Sequence, residues 1–242
     1  MLGFLYKDLR SNGRWVMIML FVLVFFNVFA SWAILSGEDN GGVPDNKLFM
    51  TGFFAGFNLI SYLVVGAFAL NFVQTDERKK WGCYVTAVPG GIVKQVAAKY
   101  CFVALSVLMT FSICCGTNAV IRTMNDNAPD MTGINVLLAA VSLLMRSVEL
   151  PCVMAFGTKI GTQVKGGLMA AAILAVVVYG LFGDLSWIGS EESFWESVFK
   201  FIGDFNLMSF GLKLLAAAVP VYAVSCFISV RLYLRGIDRM EK

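Results

Sequence analysis

The strongest constraint on this chain is a series of apolar runs, each about as long as a helix that crosses a bilayer. Six such runs are present, at about 15–36, 49–73, 96–121, 134–158, 167–188 and 207–231. A helix needs roughly 20 apolar residues to span the hydrocarbon core of a membrane. Only 14% of the 242 residues are charged, against about 25% in soluble proteins, so a water-soluble core does not explain the runs. The sequence therefore predicts an all-α, polytopic membrane protein with six transmembrane helices, forming a single transmembrane domain over residues 1–242.

The charged residues between the runs predict the orientation of the protein. The segments 1–14, 74–99, 159–165 and 231–242 together hold fourteen Lys or Arg and five Asp or Glu. The loops on the other side hold three Lys or Arg and ten Asp or Glu. Because Lys and Arg accumulate in cytoplasmic loops, both termini are expected in the cytosol. The basic residues face a membrane surface, so they do not indicate a nucleic-acid partner.

Two features of the composition exclude common kinds of catalytic and metal site. The chain contains no histidine, and its six cysteines show no spacing typical of metal ligands. Sites built on histidine ligands and nucleophiles paired with histidine are therefore excluded. We expect this chain to bind no metal and no cofactor of its own.

The longest polar interruption with clustered positive charge covers residues 75–100. Thr75 is a suitable N-cap, and the acidic residues behind it favour the positive end of a helix dipole. The sequence Pro89-Gly90-Gly91 then predicts a break, with a second helix beginning near Ile92. A short polar helix on the basic side of the membrane indicates a docking element for a cytosolic partner.

Two other segments are amphipathic and too short to cross a bilayer. In residues 1–14, three leucines share one helical face, which is typical of a helix in the cytosolic interface that bends at Gly13 into the first span. After the fifth span, residues 190–202 place an apolar stripe at helical spacing behind the N-cap residue Ser190. We expect this segment to be an outer interfacial helix or a shallow re-entrant helix.

The second span carries Gly52 and Gly56 at a spacing that lets two helix backbones approach closely. The pattern alone fits a contact within one chain as well as a contact between two copies.

The fourth span contains a pair of charged residues, Arg146 and Glu149, on one helical face. Glu149 precedes Lys159 by ten residues, or roughly 15 Å at 1.5 Å per residue, which puts it near the middle of the bilayer. Charged residues at this depth usually pair or face water. Two interpretations follow: a purely structural pair, or a functional Glu149 beside the loosened or bent helix that Pro151 predicts.

Four segments, in order along the whole chain, carry a resemblance to a known family. They are Phe4-Leu5-Tyr6-Lys7-Asp8; Asp76-Glu77 through Trp81 with Pro89 and Lys99-Tyr100; Leu150-Pro151 followed by Phe156-Gly157; and Ile228-Ser229-Val230-Arg231-Leu232-Tyr233. The chain resembles the permease subunits of ABC-2 type transporters, in particular the small six-span permeases of Gram-positive bacteria. One departure concerns the docking surface, because the family usually has a basic residue shortly after the proline, where this chain has Gly90, Gly91 and Ile92.

The resemblance implies that residues 76–88 form the coupling helix that sits on a nucleotide-binding subunit, and that residues 1–14 form the elbow helix. The coupling contacts would fall to Asp76, Glu77, Arg78, Lys79, Lys80, Trp81 and Tyr84. The chain has no Gly-x-x-x-x-Gly-Lys-Ser/Thr motif, so ATP and Mg would be bound by the partner subunit. This chain is expected to be a transport subunit of the bacterial plasma membrane rather than an enzyme.

The resemblance also implies that the second and fifth spans wall a central path between two permease copies, with Gly52 and Gly56 packing at the dimer contact. The path candidates mix aromatic and polar side chains: Phe57, Asn58, Tyr62, Tyr179 and Phe182. For each of them, ordinary helix packing is the alternative. Because no fixed acidic or metal site occurs among them, we expect an amphipathic or hydrophobic peptide as cargo, such as a secreted toxin. This is similar to permeases that export phenol-soluble modulins or lantibiotics.

Two other functions compete with this interpretation. A non-transporting membrane partner, such as a bacteriocin immunity or sensor subunit, would also have several spans and a docking surface. An intramembrane hydrolase would need a Gly-x-Ser-x-Gly motif with histidine, paired aspartates or a metal site, and Glu149 has only Arg146 near it in sequence. A neighbouring gene for an ATP-binding subunit distinguishes the transporter from the hydrolase, and transport in vesicles distinguishes it from the non-transporting partner.

Overall fold

The computed structural model describes residues 2–36, 52, 54–68, 88, 90–124, 130–182 and 206–240. Every element in these ranges is a helix. In chain order the helices are α1 (Leu2–Ser11), α2 (Gly13–Ser36), α3 (Phe54–Phe68), α4 (Gly91–Met124), α5 (Thr132–Phe182) and α6 (Leu207–Met240). The all-α class predicted from the sequence is confirmed for this described part of the chain.

Three of these helices are long and apolar enough to cross a membrane: Gly91–Met124, Thr132–Gly157 and Leu207–Tyr233. They correspond to the predicted third, fourth and sixth spans. The bent pair Gly3–Arg10 and Gly13–Phe29 raises the number to four. The predicted second span appears only as the shorter helix Phe54–Phe68, so the described ranges show three or four spans and the six-span arrangement remains a prediction.

The connection between α1 and α2 is a sharp bend rather than a loop. The two helices meet at an angle of 72°. At the bend, the backbone N–H and the side-chain amide of Asn12 both donate to the carbonyl of Asp8, at 3.0 and 3.2 Å. Both residues are buried although they are polar. The bend lies next to Gly13, where the sequence predicts it.

Helices α2 and α3 pack through aromatic side chains and run in opposite directions. Trp15 packs on Phe68 with 6.0 Å between the ring centroids. Phe57 packs on Phe26 and Phe29, at 5.7 and 5.8 Å. Residue numbers therefore rise along α2 as they fall along α3, as expected for consecutive antiparallel spans.

The N-terminal half of α5 runs parallel to α6, and the two backbones approach closely at two glycines. A Cβ built on Gly133 would lie 3.1 Å from the backbone nitrogen of Met208, and one built on Gly211 would lie 3.2 Å from the backbone nitrogen of Leu137. Small residues permit this kind of approach between helices in a membrane. Neither glycine belongs to a sequence pattern that predicts this contact.

Helix α5 folds back on itself at Gly157. This residue has φ 78° and ψ 169°, a combination open essentially only to glycine. Residues equally far from the turn meet: a Cβ built on Gly161 would lie only 2.6 Å from the Cα of Val153. Helix α5 is therefore a helical hairpin, with a first arm at Thr132–Gly157 and a second arm at 158–182. The segment 159–165, expected between the fourth and fifth spans, is helical, and the chain turns two residues before it, at Gly157.

The connection from α4 to α5 ends in a polar cluster around Asp130. One carboxylate oxygen accepts from the hydroxyl of Thr132 at 2.6 Å, from its backbone N–H at 3.0 Å and from Asn118 at 3.3 Å. The other oxygen accepts from Arg122 at 2.9 Å. Hydrogen bonds from Thr132, followed by smaller contributions from Asn118 and Arg122, hold the pKa of Asp130 below its ordinary value of 3.8. Asp130 thus caps the start of α5 and ties it to α4.

Asp130→Ala should lower the melting temperature of the purified protein by a few degrees near pH 7, since loss of a capping carboxylate costs about 1 kcal/mol. Because the folded-state pKa lies below the unfolded-state value, this stabilisation is complete well above 3.8 and is lost as the pH falls through the lowered pKa. The difference in melting temperature between wild type and Asp130→Ala should therefore shrink in acid. Asp130→Asn keeps an acceptor oxygen and is the matched control. A difference that does not change with pH would contradict the ionic contribution.

Candidate functional site

A cluster of three charged side chains lies inside the hairpin of α5. The fully buried carboxylate of Glu149 accepts from Nη1 of Arg146 on the same arm and from Nζ of Lys165 on the second arm. Glu149 and Lys165 are each eight residues from Gly157, or about 12 Å along a helix. The pair singled out from the sequence is thus part of a triad in which two cations share one carboxylate.

The guanidinium of Arg146 packs directly against the backbone of α3 at Gly66. A Cβ built on Gly66 would overlap the guanidinium group. The side chain of Arg146 is only 7% exposed. Glycine at this position therefore leaves the space that Arg146 occupies, and the cation is fixed between α3 and the first arm of α5.

Pro151 affects a hydrogen bond rather than the path of the helix. Proline has no backbone N–H, so it leaves the carbonyl four residues earlier without its usual helical partner. In α5 that carbonyl belongs to Ser147, and the hydroxyl of Ser225 on α6 donates to it at 2.6 Å. The non-helical dihedral angles of α5 occur at Gly157 and not at the proline. Of the two effects expected from Pro151, the structure shows the lost helical hydrogen bond and not the bend. The neighbouring helix α6 supplies a donor to the Ser147 carbonyl in its place.

This contact extends into a chain of hydroxyl groups that reaches α4. The hydroxyl of Tyr100 lies 2.8 Å from Ser225 Oγ and 2.6 Å from Ser229 Oγ. Because Ser225 donates to α5, it accepts from Tyr100, which in turn accepts from Ser229. The hydroxyl of Tyr222 also donates to the carbonyl of Tyr100 at 2.7 Å. Buried hydrogen bonds therefore join α4, α5 and α6 beside the charged triad.

A second polar cluster joins α3 to the start of α5. The side-chain amide of Asn58 donates to Oδ1 of Asn135 at 2.9 Å, and the hydroxyl of Tyr62 donates to the carbonyl of Asn135 at 3.3 Å. All three residues are buried. Hydrogen bonds between helices in membranes contribute about 1 kcal/mol each, so this cluster holds α3 in place against α5.

The structure shows the contacts of three of the five residues predicted to line a path. The polar atoms of Asn58 and Tyr62 are engaged in contacts between helices of one chain. Phe57 is half-buried and packs on two rings of α2. Tyr179 and Phe182 belong to the second arm of α5, but their side chains lie outside the described residues. For Asn58 and Tyr62, the packing interpretation accounts for the observed contacts.

Gly52 and Gly56 make no close helix contact with the described part of the chain. A Cβ built on either residue would meet no heavy atom within 4 Å. Among the described residues, the space beside these two glycines is therefore unoccupied.

The predicted coupling residues, Asp76 to Trp81 and Tyr84, lie outside the described residues. The structure does show the end of their segment. The backbone N–H of Gly91 donates to the carbonyl of Val88 at 2.8 Å, and Gly90 has φ 65°. Helix α4 then begins at Gly91, one residue before the start predicted near Ile92.

Several residues at this site were not identified from the sequence. A turn placed at Gly157 would predict the contact of Lys165 with Glu149, because the two residues are equally far from Gly157 on the two arms. Nothing in the sequence places the turn at that residue. No sequence pattern puts Gly66 opposite Arg146, because that contact depends on how α3 is rotated about its axis.

The arrangement pairs one carboxylate with two cations and fixes their positions. The hydrogen-bond partners of Glu149 among the described residues are two cations, and neither is a nucleophile or a second carboxylate. This geometry suits a membrane protein that fixes its helices with buried ion pairs, and it does not resemble a hydrolytic site.

A comparison with protein families matches residues 3–234 to a family described as ABC-2 family transporter protein. Neither the curated proteins nor the solved structures gave a match. The matched range runs from α1 to the end of the predicted sixth span and includes every residue of the charged triad and the hydroxyl chain. The family is a membrane transport component that works with an ATP-binding partner subunit. This chain therefore belongs to the ABC-2 transporter family, and it is a membrane-embedded permease subunit of an ABC transporter.

Proposed function

We propose that this permease is part of an ATP-driven exporter and works as a dimer with two separate nucleotide-binding subunits. The observation that carries the proposal is the family match over residues 3–234. ATP and Mg would bind the partner subunits, since the sequence contains no Gly-x-x-x-x-Gly-Lys-Ser/Thr motif. The 242 residues would form one transmembrane domain of six spans in a bacterial plasma membrane, with both termini in the cytosol.

The first helix supports the proposed orientation. α1 bends away from α2 by 72° and contacts α4. It exposes Tyr6 and Leu9 as well as the basic residue Arg10. A helix with apolar and basic side chains at its surface suits the cytosolic membrane interface, where it would serve as the elbow helix.

The open face of α3 supports a dimer. Among the described residues, no heavy atom lies within 4 Å of a Cβ built on Gly52 or Gly56, and α3 exposes Leu59, Ile60 and Leu63. A second copy packed at the two glycines would bring two α3 helices, or α3 and the fifth span of the partner, into close contact.

The proposed cargo is an amphipathic or hydrophobic peptide. The path candidates are aromatic or neutral polar residues, which suit such a peptide better than a small ion. Glu149, the carboxylate buried in the bundle, lies between two cations and is not available to a cationic cargo.

The direct test is reconstitution of the permease with its ATP-binding partner subunit. ATP-dependent uptake of a fluorescent amphipathic helical peptide into inside-out vesicles is expected, together with stimulated ATP hydrolysis. A peptide of the same composition with a scrambled, non-amphipathic order is the control. Stable assembly without uptake of any peptide would instead support the immunity or sensor function.

Trp81→Ala should weaken association with the ATP-binding subunit about 30-fold, because loss of a buried aromatic anchor often costs 2 kcal/mol or more. Membrane insertion should be unaffected. Trp32→Ala removes an exposed tryptophan of α2 and is the matched control. Co-purification of the two subunits and their coupled ATP hydrolysis are the measurements. Normal values for both in Trp81→Ala would contradict the coupling role and favour a position of Trp81 at the lipid headgroups.

Gly56→Leu should disrupt the dimer, because the added side chain pushes the two backbones apart. Gly116→Leu is the matched control, since Gly116 on α4 also has no neighbour within 4 Å. Cysteines introduced at the outer ends of the second and fifth spans should cross-link between copies. Cross-links found only within one chain would place the dimer interface elsewhere.

A further inference from the structure

Glu149 is shared by two cations that are held in different ways. Arg146 lies one turn earlier on the same arm, and its guanidinium is fixed against Gly66. Lys165 lies on the second arm, and its side chain is 23% exposed. The contact of Glu149 with Arg146 therefore survives any movement of the second arm, whereas the contact with Lys165 does not.

Among the described residues, the second arm is packed less tightly just after Lys165 than near the turn. Near the turn, Gly161 packs tightly on the backbone of the first arm. Immediately after Lys165, a Cβ built on Gly166 or Gly167 would meet no heavy atom within 4 Å, and both glycines are exposed. Among the described side chains of the second arm, Lys165 is the polar one furthest from the turn, and it contacts Glu149 on the first arm.

The triad allows one ion pair to break without leaving a buried charge alone. An unpaired carboxylate inside a bilayer is costly. When Lys165 leaves, Glu149 still has Arg146, and the ammonium group can reach water on its long flexible stem. A simple pair of one cation and one anion would not have this property.

We propose that Lys165 is a positioning residue for transport: its ion pair with Glu149 holds the second arm of α5 on the bundle in one state of the permease and separates in another. The proposal rests on the proposed function, because the second arm carries Tyr179 and belongs to the predicted wall of the path. The first arm stays in place, since Gly66 fixes Arg146 and Ser225 binds the carbonyl of Ser147.

Lys165→Met in the reconstituted complex tests this role. The maximal rate of peptide uptake should fall about tenfold or more, while the KM for peptide changes less than about twofold, because a state change and not cargo binding is affected. Lys165→Arg keeps the charge and should retain about half the wild-type rate or more. Gln163→Met, at an exposed site on the same arm, is the matched control. A wild-type rate in Lys165→Met would overturn the proposal.

A second measurement follows the hairpin without any cargo. Leu144 and Ala170 lie equally far from Gly157 on the two arms, beyond Glu149 and Lys165 as seen from the turn. In a variant that carries Leu144→Cys and Ala170→Cys and whose native cysteines are replaced by alanine, the rate of cross-linking by a short bismaleimide reports whether the arms are together. Adding Lys165→Met should lower this rate about threefold or more, and adding Lys165→Arg should not.

The two measurements separate the positioning role from the proposed cargo. Equal cross-linking rates with Lys165 and with Lys165→Met would overturn the positioning role. If the wild-type complex takes up no peptide while cross-linking still responds to Lys165→Met, the peptide cargo is wrong and the positioning role is supported.

Discussion

Glu149→Gln is expected to destabilise the permease more than any other single substitution in the charged triad. It leaves both Arg146 and Lys165 without their shared anion. Removal of one partner from a buried ion pair costs about 3–5 kcal/mol, which corresponds to a fall in melting temperature of roughly 10 °C for a protein of this size. Thermal unfolding of the purified protein in detergent, and its yield in the membrane, are the measurements.

Arg146→Met and Lys165→Met are the matched comparisons, because each leaves Glu149 with one cation. Each should cost less than Glu149→Gln, by about 1–3 kcal/mol as for a lost hydrogen bond to a charged group. Combining Arg146→Met with Glu149→Met should recover most of the stability, since the remaining Lys165 is partly exposed. A Glu149→Gln protein as stable as wild type would contradict the role of the triad. A stable double variant that transports poorly would indicate that Glu149 also acts in the path.

Gly161→Leu should prevent the hairpin of α5 from closing. A Cβ at this position would lie 2.6 Å from the Cα of Val153 and 2.8 Å from the carbonyl oxygen of Cys152. Both are backbone atoms, so no side-chain rotation relieves the overlap. Overpacking of this kind costs about 1–3 kcal/mol or more, and it would also separate Lys165 from Glu149.

Gly167→Leu is the matched control for Gly161→Leu. It makes the same change on the same arm, at a position with no heavy atom within 4 Å of the added Cβ. The Gly161→Leu protein should lose several degrees of melting temperature relative to Gly167→Leu. Equal stability of the two variants would contradict the close packing of the two arms.

The positions of the long helices could be predicted because the thickness of a bilayer fixes the length of an apolar span. The predicted spans at 134–158 and 207–231 compare with helices at Thr132–Gly157 and Leu207–Tyr233. The start of α4 was also predictable, since proline and glycine residues immediately before a helix limit backbone conformation in a known way. Both features depend only on residues close together in the chain, so the sequence alone is enough to predict them.

The partners of the polar residues could not be predicted, because they depend on how each helix is rotated about its axis. Lys165 was assigned to a cytosolic loop because lysines after an apolar run are typical of such loops. Hydropathy does not distinguish that lysine from one that returns into the bundle and meets Glu149. Asn58 and Tyr62 have side chains that suit a path or a packing contact, and only the position of Asn135 decides between them.

Glu149 and Lys165 lie equally far from Gly157 on the two arms of the hairpin. Their ion pair therefore constrains the number of residues between them. One residue inserted into either arm would turn the following side chains by about 100° and point Lys165 away from the carboxylate. Related permeases that keep this ion pair should therefore vary at exposed positions such as Val148 and Gln163 while showing almost no insertions or deletions between 149 and 165. Where the hairpin is longer, each arm should gain about seven residues, which is nearly two full helical turns.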